Sequence, residues 1–174
     1  TESIFSMDGD LAPLQDIVEL AERYGAHLIV DEAHSTGCYG VNGSGLVDAL
    51  HLRSRVLATV HTGGKALGLC GAYICGSHLL KEYLINRCRH LIFTTALPPL
   101  LGAYWCKGIQ RVINDNSGRE LLFRNVQLFR SLLHDSGWDI RGDSYIVPIV
   151  VGEDNKAVRL AQQLWLQGWD IRAI

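Results

Sequence analysis

Short apolar runs of β-like composition alternate with helical stretches along most of this chain of 174 residues. Between residues 13 and 24 the apolar positions recur at the i, i+3, i+4, i+7 spacing of one helix face, with Pro13 at the start and Gly25 after the end. An apolar run at 27–30 follows at once and predicts a buried strand. Alternation of this kind predicts an α/β fold with a mostly parallel sheet and flanking helices.

The alternation continues along the rest of the chain. Further strands are expected at 3–7, 55–61, 72–75 and 90–95. A helix capped by Ser77 is expected to run through Leu84, and a polar break at 114–118 divides the long amphipathic stretch from 98 to 134 into two helices. After residue 137, two extended segments and a helix at 155–167 predict the beginning of a smaller α/β unit.

Charge and hydropathy give no reason to expect nucleic acid or a membrane as a partner. The net charge of −2 gives no electrostatic reason to expect nucleic acid or a membrane surface as a partner. No apolar run of about 18 residues is present, so no membrane span is expected.

The cysteines indicate free thiols. Their number is odd and no pair has C-x-x-C spacing, which argues against a disulfide framework and against a zinc site. No metal is therefore expected, and a reducing cytoplasm is the expected compartment. The five are Cys38, Cys70, Cys75, Cys88 and Cys106.

Polar residues stand where two of the predicted strands end. Asp31 and His34 follow the strand at 27–30, and Lys65 lies in a glycine-rich turn after the strand at 55–61. Ligands of open α/β sheets bind beyond the carboxyl ends of strands. A lysine forms an imine with an aldehyde, and a carboxylate beside a pyridine nitrogen keeps that nitrogen protonated. These residues therefore predict a site for an aldehyde cofactor with a pyridine ring.

Each residue also has a plainer interpretation. A lysine flanked by glycines is commonly a solvated loop residue, and an Asp-x-x-His strand end is commonly a polar cap. Glu32 points away from Asp31 by the period of two, so it is left out of the site.

Four segments, in this order, resemble the α-oxoamine synthases, which are fold-type I acyltransferases dependent on pyridoxal phosphate. They are Thr1-Glu-Ser-Ile-Phe-Ser-Met-Asp-Gly-Asp10 with Ala12-Pro-Leu14, Val30-Asp-Glu-Ala-His-Ser-Thr-Gly37, Thr62-Gly-Gly-Lys-Ala-Leu-Gly68 and His90-Leu-Ile-Phe-Thr-Thr-Ala-Leu-Pro-Pro99. The segments 146–152 and 169–174 are similar to the C-terminal portion of one branch of that family. The likeness covers the whole chain.

The resemblance implies a role for each residue. Lys65 would bond covalently to pyridoxal 5'-phosphate and then carry the substrate Cα proton. Asp31 would pair with the pyridine nitrogen. His34 would donate to the phenolic oxygen or to the incoming acyl carbonyl. Thr62 would donate to the phosphate, and the flanking glycines at 64 and 68 would let the backbone approach the cofactor.

The resemblance also implies a homodimer with the active site at its interface. Thr94 and Thr95 would reach the phosphate from the partner subunit, although β-branched residues ending a strand explain them nearly as well. Gly63 departs from the family pattern, because many relatives carry an aromatic or aliphatic residue there. That departure is expected to alter packing without removing a reactive group.

The implied reaction is the decarboxylative condensation of L-alanine with a pimeloyl thioester, carried on coenzyme A or an acyl carrier protein. Its product is 8-amino-7-oxononanoate, used for biotin. The alternatives within the family are the condensation of glycine with acetyl-CoA to 2-amino-3-ketobutyrate and the formation of 5-aminolevulinate. The alternative outside catalysis is an inactive fragment or a scaffold subunit.

Relatives of this family are roughly twice as long. The expected division is therefore the second half of a cofactor-binding domain at 1–100, connecting helices at 101–136 and the beginning of a small C-terminal domain at 137–174. The chain is expected to be the central part of an enzyme and to be inactive alone, since the phosphate turn, a ring-stacking residue and a substrate-carboxylate arginine would lie outside it.

Overall fold

A three-stranded sheet organises the computed structural model, which describes residues 1–174. Strand β1 is Ile29–Asp31, β2 is Ala58–Thr62 and β3 is Ala72–Gly76, and they lie in the order β1-β2-β3. β1 pairs with β2 in parallel, and β2 pairs with β3 antiparallel. The α/β prediction holds, but this sheet is mixed. The connection 63–71 is too short for the crossover that a parallel partner requires, so β3 must return antiparallel to β2.

Seven helices accompany the sheet. They are α1 Leu14–Arg23, α2 Leu46–Ala49, α3 His78–Arg87, α4 Arg89–Ile92, α5 Leu100–Asn114, α6 Asn116–Asp135 and α7 Asp154–Leu166. Short 3-10 turns occupy Val41–Gly43 and Arg53–Arg55. None of the helices combines the length and apolar character needed to cross a membrane.

The helices predicted from periodicity lie within three residues of their expected bounds. α1 buries Leu14 and Val18 on its apolar face, and Gly25 at φ +61° follows its end as expected. The break between α5 and α6 falls at Asp115, whose carboxylate accepts a hydrogen bond from Gly118 N at 2.9 Å. Ser77 caps α3 by accepting from Leu80 N at 3.1 Å, as predicted.

The strand predicted at 90–95 is wrong. Residues 89–92 form helix α4, with Ile92 N donating to Cys88 O at 2.9 Å and Phe93 N to Arg89 O at 3.0 Å. An apolar run becomes a strand only when a neighbouring strand takes up its backbone groups. This run has no neighbour in the sheet, so its hydrogen bonds close locally.

Two other extended predictions are only partly confirmed. At 3–7 there is no regular strand, because the chain turns back at Gly9 (φ +71°) and only the isolated bridges Glu2–Asp31 and Ile4–Leu11 remain. After residue 137 a single bridge joins Ile140 to Ile149. The division into three domains stays a prediction.

The hydrophobic core lies in the first third of the chain. Its eight members are Ile4, Ala12, Leu14, Val18, Val30, Leu46, Val47 and Leu52. Beyond Thr62 only Gly63 and Ser144 are buried. The buried part of the molecule is therefore built mainly from α1, α2 and β1.

Glu32 connects this core to the glycine-rich loop. Its side chain is fully buried, and Oε1 accepts from Leu46 N and Val47 N, both at 3.2 Å. Oε2 has no hydrogen-bond partner, and burial raises the pKa of this carboxyl despite the amides and nearby hydroxyls that lower it. Gly45 lies against this carboxylate at φ +107°, where a Cβ would overlap Oε2.

Gly45→Ala should therefore destabilise the protein more than Gly25→Ala, which is the matched control. Both glycines have positive φ, which costs an alanine about 1–2 kcal/mol, but a Cβ at Gly25 meets nothing within 4 Å. We expect the Gly45 variant to lose about 2 kcal/mol more, because it must also displace a buried carboxylate. Chemical denaturation of the intact protein measures the difference, and equal losses at the two glycines would contradict it.

Candidate active site

The carboxyl end of β1 leads into a tight turn that presents His34. Asp31 is half-buried, and its Oδ1 accepts from Ala33 N at 2.8 Å while Oδ2 has no protein partner. The carbonyl of Glu32 accepts from Ser35 N at 3.1 Å and from Thr36 N at 2.9 Å, which closes the turn. The side chain of Glu32 points into the core, as strand alternation predicts. One free carboxylate oxygen and one imidazole are thus left at the edge of the sheet.

Lys65 meets His34 at this edge. Its Nζ lies 2.8 Å from His34 Nε2, although 31 residues separate the two in sequence. The parallel pairing of β1 and β2 brings them together, since Glu32 N donates to Val60 O at 2.8 Å and the two strands end side by side.

The Lys65 contact favours a neutral His34. With Lys65 as the donor, Nε2 of His34 accepts, and an imidazole that accepts at Nε2 is neutral. Burial first, and then the positive charge of Lys65, lowers the pKa of His34, while Glu2 and Asp31 oppose the shift. The pair therefore joins an amine donor to a neutral imidazole acceptor, an arrangement that can hold or pass a proton.

Thr62 lies at the end of β2, at the same edge. Its hydroxyl is half-buried and accepts a long hydrogen bond of 3.4 Å from Gly64 N. A Cβ at Gly68 would meet nothing within 4 Å, and one at Gly64 only Leu69 O and the Thr62 hydroxyl near that limit, so the loop is open on this side. The open space beside Gly64 and Gly68 would admit the predicted cofactor. The close approach of the cofactor to the backbone stays a prediction.

Packing explains why a glycine stands at position 63. A Cβ at this buried position would lie 2.8 Å from Cζ2 of Trp105 and 2.9 Å from Cβ of Leu69. Trp105 of α5 thus fills the space that a larger residue at position 63 would occupy. The change of packing relative to the family stays a prediction.

Thr94 and Thr95 make no side-chain hydrogen bond at this edge within the chain. Both are exposed, in the segment that follows α4, and neither hydrogen-bonds to a residue of the Lys65 site. Their assignment to a partner subunit's site stays a prediction.

Two residues were missed by the sequence reasoning. Tyr145 donates from its hydroxyl to the backbone carbonyl of His34 at 2.9 Å, across 111 residues. Burial, with smaller effects of Cys38 and Tyr39, raises the pKa of Tyr145 to about 12, so the phenol remains a donor. His61 is buried in β2 between two threonine hydroxyls. A polar alternation in β2 could have identified His61, whereas no local signal marks Tyr145.

A cavity of about 450 Å³ adjoins the Lys65 loop on the side of α5 and α6. Arg111 and Arg119 line it together with residues 65–68 of the loop. Arg119 is already engaged, because it donates to Val112 O at 2.6 Å. Asp115 lines the same cavity, so two guanidinium groups and one carboxylate lie near the loop.

Comparison with known proteins identifies close relatives in sequence. The profile of the family described as aminotransferase class I and II matches residues 1–172. An 8-amino-7-oxononanoate synthase from Chlorobaculum parvum is 47% identical over 169 residues, which cover 97% of this chain and 43% of that protein. A protein of the same name from Alkaliphilus metalliredigens is 41% identical, with the same coverage. The chain spans less than half of the length of these relatives.

Solved structures agree with the sequence comparison. A serine palmitoyltransferase from S. paucimobilis, solved with bound PLP, superposes with a TM-score of 0.91 at 30% identity, covering 99% of this chain and 45% of that one. An 8-amino-7-oxononanoate synthase from Francisella tularensis gives 0.86 at 32% identity, covering 95% and 50%. These likenesses confirm the fold-type I prediction.

Replacing Lys65 with Met should raise the pKa of His34 toward its ordinary value, because the variant removes the positive charge but keeps the length of the side chain. The measurement is an NMR titration of the His34 ring in the intact protein without added ligand. Lys81→Met is the matched control, since Lys81 lies on the exposed face of α3. A pKa of His34 that is the same in both variants would show that the two side chains do not meet in solution.

Proposed function

Because the chain belongs to the aminotransferase class I and II family, we propose that it forms part of an acyltransferase that condenses L-alanine with a pimeloyl thioester to give 8-amino-7-oxononanoate. The observation that carries the proposal is the contact of Lys65 Nζ with His34 Nε2 at 2.8 Å, beside the free oxygen of Asp31. The names of the relatives at 41% and 47% identity support the choice of reaction.

Pyridoxal phosphate is the cofactor of this family, and the residues of the site fit it chemically. Lys65 offers a primary amine for the aldehyde, Asp31 an unused carboxylate oxygen for the pyridine nitrogen, and Thr62 a hydroxyl for the phosphate. When bound, the cofactor supplies an electron-accepting ring that takes up the electrons released when a bond at the substrate Cα breaks. These three residues are proposed to hold it.

The chain's own part in the chemistry is proton handling. Lys65, once free of the cofactor, is proposed to remove the proton from Cα of the amino acid and to return one later. Nε2 of His34 lies within hydrogen-bond distance of Nζ, so the neutral imidazole can hold the amine in place or accept its proton. The turn closed by Glu32 and the Tyr145 hydroxyl restrict the position of the ring.

A second copy of the chain is proposed to complete the site. Thr94 and Thr95 are exposed and make no hydrogen bond to the Lys65 site of their own chain, which leaves their hydroxyls available to another subunit. Hydroxyl donors suit the phosphate because they bind its oxygens without neutralising its charge.

The solved serine palmitoyltransferase provides the second candidate, an acyl transfer to serine. It is favoured by the TM-score of 0.91, above the 0.86 of the synthase structure. Sequence identity favours the first candidate, since 41% and 47% exceed 30%. Sequence identity compares side chains, and side chains select substrates. We therefore give sequence identity more weight than the TM-score.

An assay of coenzyme A release by the purified intact protein tests the proposal. L-Alanine with pimeloyl-CoA should give a kcat/KM at least about tenfold above that for L-serine with palmitoyl-CoA or glycine with acetyl-CoA, since a site that fits one pair loses binding energy with another. Lys65→Ala should lower turnover by at least about 10³-fold, because it removes the amine that moves the proton. It should also abolish covalent retention of the cofactor after borohydride reduction.

Lys81→Ala is the control and should retain both properties. A higher kcat/KM with one of the other pairs would reassign the substrates. Turnover of Lys65→Ala within tenfold of wild type would contradict the role of Lys65.

A further inference from the structure

We propose that His61 is a positioning residue, held as the neutral Nδ1–H tautomer, which fixes the turn carrying His34 against the strand that leads to Lys65. The hydrogen-bond assignment stands on the geometry of the chain alone. Its effect on turnover rests on the proposed function.

His61 is buried between two hydroxyl groups. It lies on β2 with 5% of its surface exposed. Its Nδ1 is 2.7 Å from Oγ1 of Thr36, in the His34 turn, and its Nε2 is 2.8 Å from Oγ1 of Thr59, on its own strand. The ring is therefore the side-chain connection between the two elements that meet at the active edge.

The hydrogen bonds of Thr36 determine the tautomer. Its hydroxyl donates to the carbonyl of Glu32 at 2.6 Å, and a hydroxyl has one hydrogen. Oγ1 of Thr36 must then accept from His61, so Nδ1 carries the proton and Nε2 accepts from Thr59. This arrangement makes three hydrogen bonds. The opposite tautomer makes two and leaves two oxygens facing each other at 2.6 Å, which is costly in a buried site.

The charge state agrees with this assignment. Burial lowers the pKa of His61, and Arg53 lowers it further, while the carboxylate of Asp31 opposes the shift. A charged ring would have to donate from both nitrogens in a place where water cannot solvate it.

The face of the His61 ring is connected to the Lys65 loop through two aromatic side chains. His61 stacks on Tyr73 of β3 at 4.7 Å with an interplanar angle of 10°, and Tyr73 meets Trp105 edge-on at 5.0 Å. Trp105 in turn fills the space beside Gly63, where the loop begins. The edge of the ring is thus fixed by the His34 turn and its face by the aromatic pair that supports the loop.

The contacts of His61 therefore define the separation between the side chains of His34 and Lys65. Thr36 lies two residues after His34, and His61 four residues before Lys65. A shift of the turn would change the 2.8 Å contact between Nζ and Nε2 directly. His61 itself touches neither atom, so its role is positional.

The first measurement is nitrogen NMR of histidine-labelled intact protein at neutral pH. We expect Nδ1 of His61 to be protonated and Nε2 to be unprotonated. A ring protonated at Nε2, alone or together with Nδ1, overturns the assignment. This result does not depend on any activity.

The second measurement compares Thr36→Val with Thr36→Ser. Valine keeps the shape and removes the acceptor, whereas serine keeps the hydroxyl. We expect Thr36→Val to redistribute the His61 tautomer, to raise the pKa of His34 as its contact with Lys65 loosens, and to lower kcat about tenfold with little change in KM, since small misplacements of reacting groups cost rate. Thr36→Ser should stay within about twofold of wild type.

If Thr36→Val does not fold, the pair Thr59→Val and Thr59→Ser tests the same ring from Nε2. A valine variant whose His34 pKa and kcat are both those of wild type overturns the positioning role, whichever threonine it replaces. If the wild-type protein turns over none of the substrate pairs, the proposed function fails, while the His61 and His34 titrations still decide the present inference.

Discussion

The parallel pairing of β1 with β2 is the constraint on which the rest of the site depends. Val30 lies opposite Thr59, and the hydrogen bond from Glu32 N to Val60 O continues the pairing beyond the last residue of β1. Parallel strands end at the same edge, so whatever follows each strand must meet there. The turn with His34 follows one strand and the loop with Lys65 follows the other. A shift in register would separate the two by several ångströms.

Behind this edge the protein buries polar side chains that have hydrogen-bond partners within the chain. Glu32 holds two amides of α2, and His61 exchanges hydrogen bonds with two threonines. A buried polar group without a partner costs about 1–3 kcal/mol, which exceeds the gain from an ordinary hydrogen bond. Such networks have few alternative arrangements and therefore restrict the geometry of the edge. Oε2 of Glu32 is the one exception, and burial correspondingly raises the pKa of that carboxyl.

Local patterns predicted the longer helices and the residues that stand at the sheet edge, while features that depend on distant packing were not predictable. Periodicity with a proline and a glycine predicted α1 to within one residue, and the positions of Lys65 and His34 after predicted strands marked both as candidates. The direction of β3 and the helix at 89–92 depend on which neighbours a segment finds, and apolar composition does not contain that information. Tyr145 reaches the His34 turn from 111 residues away, which no spacing in the sequence indicates.

The central claim is that the edge formed by Asp31, His34 and Lys65 is a reaction centre and not a polar cap on two strands. Exchange of the Cα proton of L-alanine for deuterium, measured in the intact protein with pyridoxal phosphate, tests it most directly because it needs no acyl donor. The account predicts that Asp31→Asn, which keeps the shape and removes the charge, slows this exchange at least about tenfold while the protein stays folded. An exchange rate equal to that of wild type would contradict it.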